Sequence, residues 1–170
     1  PSCPGWNIRD LTDHVLGLHY WVLDAIAGKG GTALEPPAAT DDELPAAFEI
    51  SSGLLLDALD QDPATPCWTF GDNRTLAFWQ RRQPHEHQIH RWDLELALGL
   101  SPTLDSALAA DGIDEVVRFF WPRQVALGRA EEPSGQLALT TSDTDHNWLL
   151  GNLTATFEPV AALTGDADDV

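Results

Sequence analysis

Apolar residues recur every three or four positions from Ile8 through Leu11, Val15, Leu18 and Val22 to Ile26, which predicts an amphipathic helix over residues 7–28. Asn7 is a good N-cap. Asp10, three residues later, sits near the positive helix end much as in a capping box. GKGG (28–31) ends this helix and EPP (35–37) extends the loop. Leu44, Phe48, Leu55 and Leu59 form the apolar stripe of a second helix over 41–60. The punctuated run QDPATPCWTFGDNR (61–74) reads as a long connection, and a third helix follows over 75–98, ending at Gly99. The pattern then changes. LSPTLDSA (100–107) reads as a linker, and Ile113, Val116, Val117 and Phe120 predict a further helix that stops near Pro122. GQLALTT (135–141) alternates and is rich in β-formers, so a strand is expected there. NWLLGNLTATFEPV (147–160) is expected to give one or two more, and LTGDADDV (163–170) reads as an acidic tail with little to pack. The expected fold is mainly α: a helical part over 1–102, then a small α+β part over 103–170, with no internal repeat.

Charge narrows the function classes. The 170 residues carry 27 acidic and 9 basic side chains, a formal net charge of -18. Such a surface repels phosphate backbones and anionic lipid headgroups, so neither nucleic acid nor a membrane is an expected partner. No apolar run approaches the roughly 18–20 residues of a membrane-spanning helix, and no signal segment opens the chain. The two cysteines, Cys3 and Cys67, are too few for a disulfide scaffold, which reads as a reducing cytoplasm. The chain has no methionine and opens on the loop-like PSCPGW, from which residues upstream are expected.

The densest chemistry lies in RRQPHEHQIHRWD (81–93). Residues four apart on a helix lie one turn above each other, so Glu86 and His90 can share one cation. His85 and His87 point about 100° to either side of Glu86; they are expected to flank the site and reach solvent. His87 and His90, three apart, form a competing pair. Leu76, Trp79, Gln83, Glu86, His90, Leu94 and Ala97 make one stripe, apolar at both ends and polar in the middle. A charge on a buried stripe is costly unless it is paired or coordinated. On the first helix His14 sits among Leu11, Val15, Leu18 and Trp21, whereas His19 reads as lying off that stripe. His14, Glu86 and His90 are thus candidate metal ligands converging from two packed helices. Against this, a histidine on an apolar face is more often a hydrogen-bonded core residue. Pro84 is expected to kink the third helix, or to sit in the first turn of a restarted one.

Two segments resemble a known family. PSCPGWNIRDLTDHVLGLHYW (1–21) resembles the opening motif of the mycothiol-dependent maleylpyruvate isomerases of the DinB-like superfamily. FWQRRQPHEHQIHRWDLELALG (78–99) resembles that family's second motif: His-Glu, three residues, His-Arg, then Asp. ALAADGIDEVV (107–117) resembles the opening of its C-terminal domain, and TTSDTDHNWLL (140–150) a later hairpin, more loosely. The resemblance implies a DinB-like four-helix bundle holding a divalent metal, usually zinc, with His14, Glu86 and His90 as ligands. It also implies mycothiol, the low-molecular-weight thiol of actinobacteria, as cosubstrate. The family's first bundle helix precedes the Cys-Pro-Gly-Trp loop and is absent from this chain; its closing helix is not evident after Phe157.

Three protein ligands would leave a position for a thiol or for water. A thiol on a metal loses its proton readily, which suits addition to an electrophilic double bond or displacement of a leaving group. Arg82 and Asp93 are weaker catalytic candidates: Arg82 for an anionic substrate or a simple pair with Glu86, Asp93 for orienting a neighbouring group, with salt bridges the plainer reading for both and for Arg91. A non-catalytic metal-binding or small-ligand module and a metal-dependent hydrolase are the alternatives.

Overall fold

In the computed structural model, helix α1 spans Ile8–Ile26 and starts where the sequence caps it. The Asn7 side chain accepts from the Asp10 backbone N–H (3.1 Å), and the Asp10 carboxylate accepts from that of Asn7 (2.9 Å). The structure describes residues 3–30, 37–131, 135–151 and 161–167. The chain divides into two compact units, Pro1–Pro102 and Thr103–Val170.

Among the described residues the first unit has three helices. α2 (Leu44–Leu59) and α3 (Leu76–Ala97) both pack on α1 and touch each other. Their core holds Val22, Ala25, Leu55, Cys67, Leu76 and Trp79, with Trp21, Trp68, Phe70 and Phe78 packed around it. The connection between α2 and α3 is tied in by backbone hydrogen bonds: Trp68 N–H to the Ala25 carbonyl, and Cys67 N–H to that of Arg74 (both 3.1 Å). Trp79, fully buried, donates its indole N–H to the Trp68 carbonyl at 2.7 Å. Cutting such a residue to alanine costs about 3–5 kcal/mol. Pro84 neither breaks α3 nor starts it; the helix runs through as one element. The proline ring faces solvent, where the freed carbonyl a turn earlier can be hydrated. The apolar stripe of α3 also ends sooner than expected, since Ala97 is exposed.

The second unit departs from the sequence reading in three places. α4 (Ser106–Glu115) begins inside the expected linker, because the Asp105 side chain caps it by accepting from Leu108 N–H at 2.9 Å. The helix does not stop near Pro122. A π-helical turn, Val116–Phe120, leads into α5, Trp121–Ala126. The wider turn displaces the carbonyl that a proline ring would strike in an α-helix. The expected acidic tail contains a strand. β1 (Gln136–Thr141) pairs antiparallel with β2 (Asn147–Gly151) and parallel with β3 (Ala161–Gly165), giving the order β2-β1-β3. Apolar patterning does not mark β3. Pairing holds it, and just beyond it the Asp143 carboxylate accepts from Ala167 N–H at 2.8 Å. Gly151 closes the β1–β2 pair at φ +102°, where a Cβ would lie 2.2 Å from the Gly135 carbonyl oxygen. The rest of the expected second strand, 152–160, lies outside the described residues. Trp148, packed with Ala109, Ala110 and Ala167, donates to Asp114 at 3.0 Å. No described helix is long and apolar enough to cross a membrane.

Candidate metal centre

α1 presents His14 and α3 presents Glu86 and His90 one turn apart, and the packing of the two helices brings the three together. One ligand-type atom from each lies within 4.8 Å of the others. Glu86 Oε1 stands 3.1 Å from His90 Nε2 and 4.0 Å from His14 Nε2. The imidazoles of His14 and His90 meet edge to face, with centroids 4.9 Å apart. Metal–donor bonds near 2.0–2.2 Å put tetrahedral donors about 3.4 Å apart, so the set would close by roughly an ångström around an ion.

The surroundings favour the ligating forms. Arg82 engages Glu86 Oε2, which leaves Oε1 turned to the histidines. Burial opposes the charge on Glu86 and is the largest single influence. The His90 hydrogen bond and the positive charges of Arg82, His90 and His14 together outweigh it and hold the carboxyl below its usual range. Burial, and then the proximity of His90, pushes His14 down, partly offset by Glu86, so at neutral pH it is the neutral, lone-pair-bearing imidazole. His90 Nδ1 is buried without a hydrogen-bond partner, and Asp93 Oδ2 stands 3.7 Å from it. Were an ion held through Nε2, Asp93 would be the carboxylate available to accept from His90 Nδ1–H, a partnership metal-ligating histidines commonly use. Trp6, from the opening loop, lies against His14 with ring centroids 5.0 Å apart. The His14 side chain is 37% exposed, so the set opens to solvent on the α1 side. These residues fit a divalent cation: two imidazoles, one carboxylate held below its usual range and an unsatisfied buried nitrogen.

The other histidines of the run do not reach solvent as expected. His85 is buried, and His87 joins a second cluster. His19, expected off the apolar stripe, is 0% exposed. Its Nε2 lies 2.8 Å from His87 Nε2 and its Nδ1 2.8 Å from Ser51 Oγ, while His87 Nδ1 lies 2.8 Å from the Gln83 carbonyl. A stripe of Val15, His19, Val22 and Ile26, spaced four, three and four, was the available signal. Burial, and secondly the His87 ring, pushes His19 down to about 4. Arg91 reaches along α3 to Glu95 (3.5 Å).

A helical unit that gathers two imidazoles and a carboxylate from neighbouring helices defines a candidate metal-binding helical domain. Residues 1–95 match the family described as the mycothiol maleylpyruvate isomerase N-terminal domain, and the chain belongs to that family. No curated protein and no solved structure shows a match to it.

Proposed function

We propose that this chain belongs to an enzyme that uses a divalent metal, zinc first among the choices, to activate mycothiol for addition to or transfer onto a small electrophile. The observation that carries the reading is the convergence of His14, Glu86 and His90. Family membership supports the thiol. Two imidazoles and a carboxylate suit catalytic zinc with its next position open, and suit nickel or iron as well. Bound there, the cation would supply Lewis acidity that favours the thiolate over the thiol. In this reading, Glu86 tempers that acidity by its charge, Arg82 fixes the carboxylate's orientation, Asp93 steadies the His90 ring, and Trp6 shields one side of His14 from water. The bundle is read as DinB-like, and its place as the reducing cytoplasm, consistent with two free cysteines.

The test is thermal unfolding of zinc-loaded protein with mycothiol at about 100 times its Kd. A binding contribution of about 2.7 kcal/mol raises Tm by roughly 5–10 °C in a chain this size. Chelator should abolish the shift. A protein that takes up zinc but shows no metal-dependent shift would be a plain metal-binding module; turnover without thiol would make it a hydrolase.

A further inference from the structure

Arg82 stands one helical turn before Glu86 on α3, and its guanidinium holds Glu86 Oε2. Arg91 and Glu95 repeat the pair on the same helix with the same spacing. There the two side chains are 54% and 28% exposed, against 17% and 15% for Arg82 and Glu86. The outer pair is an ordinary surface contact, screened by water and worth little. The inner pair is shielded, and it closes on a candidate metal ligand. We propose that Arg82 is a positioning residue that confines Glu86 to a single metal–oxygen bond, so that a place at the ion stays open and the site prefers small four-coordinate cations. The inference rests on the metal-binding part of the reading above and names what would keep a place for the thiol.

A carboxylate can hold a cation through one oxygen or through both. In Glu86 the oxygen on the imidazole side is Oε1, 3.1 Å from His90 Nε2 and 4.0 Å from His14 Nε2. Chelation by both oxygens would bring Oε2 to the ion as well. That motion takes Oε2 out of a charge-assisted hydrogen bond and strands a largely buried guanidinium. It also brings the ion closer to the guanidinium charge. All three effects oppose it. With Oε2 held, His14, Glu86 and His90 offer one donor atom each. That is the ligand set of a catalytic zinc site with its next position free. With Oε2 released, the second oxygen can fill that position. The choice of metal follows from the same constraint. Calcium and manganese(II) favour larger, oxygen-rich coordination shells and gain more from a second carboxylate oxygen than zinc does.

The experiment loads the protein with cobalt(II) in place of zinc and reads its visible absorption, which is intense for a four-coordinate ion and weak for a five- or six-coordinate one. The unaltered protein should give intense bands. Arg82→Met, which removes both the charge and the hydrogen bonds, should give weak ones. The ratio of zinc to manganese affinity, measured by chelator competition, should fall at least about tenfold in Arg82→Met, the order that partners of metal ligands command. Loss of a positive charge by itself strengthens binding of every divalent ion alike and leaves that ratio unmoved. Arg82→Lys keeps a charged donor and should retain the intense bands. Metal-free Tm is checked for each variant, and Arg82→Gln, polar and shorter, replaces Arg82→Met if that chain does not fold. Intense bands with an unchanged ratio in the folded variant overturn the inference and leave the metal site standing, as do weak bands in the unaltered protein. Failure of the unaltered protein to take up cobalt or zinc sinks the site and the inference together. None of these readouts uses a thiol, so failure of the thiol reading alone leaves them intact.

Discussion

Helices α1 and α3 meet through two polar clusters built from similar side chains, and the two differ in how completely they satisfy themselves. His19 and His87, with Ser51, form a closed chain. Ser51 O–H can donate to His19 Nδ1, His19 Nε2–H to His87 Nε2, and His87 Nδ1–H to the Gln83 carbonyl. Every ring nitrogen is used and no charge is needed. His14, Glu86 and His90 form an open set. One carboxylate oxygen is pinned by Arg82, the other faces two imidazoles, and His90 Nδ1 is buried without a partner. A saturated cluster has nothing left to offer a ligand and acts as a staple between helices. An unsaturated one keeps donor capacity, which a cation can take up.

The sharpest way to break this contrast is to remove one member of each. His90→Ala should weaken zinc binding by more than about 100-fold, exceeding the 10–100-fold that losing an outer partner costs. Competition against a chromophoric chelator measures it, and the metal-free Tm should stay within a few degrees. His19→Ala should do the reverse. It opens a cavity and strands polar atoms, costing about 2–4 kcal/mol in urea unfolding while zinc affinity stays within about threefold. If His19→Ala abolished metal binding and His90→Ala unfolded the protein, the roles assigned here would be exchanged.

How much of this was legible in the sequence follows from the kind of signal each part carries. The α1 cap was readable because Asn7 and Asp10 act on neighbouring backbone. The Glu86–His90 spacing was readable because helical periodicity fixes it. The His19–Ser51–His87 chain was not, because its partners are 32 and 68 residues away from His19. On α1 the face through Leu11, Val15, Leu18 and Trp21 points to His14, whereas the stripe through Val15, Val22 and Ile26 carries His19. His14, read as facing the apolar side, is in fact the more exposed of the two α1 histidines. β3 lacked a local signature, since AALTG is a strand by pairing with β1 and not by alternation. The passage of the helix through Pro122 depends on a π turn that no residue pattern announced.

Acid offers a gentler test of the closed cluster. His19 is held at about 4 in the fold, below its ordinary value near 6.5. The unfolded chain therefore binds the extra proton first. The stability from a neutral His19 is complete above pH 6.5, declines as pH falls from 6.5 toward 4, and changes no further below that. The loss should be on the order of 1–3 kcal/mol. Urea midpoints at pH 7.5 and 4.5 measure it for the unaltered protein and for His19→Gln. The difference between the two pH profiles isolates this residue from carboxylates that titrate in the same range, and identical profiles would contradict the assignment.

The smallest effect concerns where a single proton points. Ser51 Oγ is 2.8 Å from His19 Nδ1 and 2.9 Å from the Phe48 carbonyl, and its one hydrogen can serve only one of them. Ser52 already donates to the Phe48 carbonyl at 2.8 Å, so that oxygen does not need Ser51. The hydroxyl is then free to complete the neutral chain by donating to His19. Ser51→Ala removes that donor and leaves a buried acceptor unmet, at about 1 kcal/mol. It also withdraws support from the neutral ring, so the His19 titration, followed by NMR, should move up from about 4. A shift downward would mean that Ser51 had been accepting from a protonated His19. The chain would then carry a charge, and the contrast between a closed neutral cluster and an open charged one would fail at its closed end.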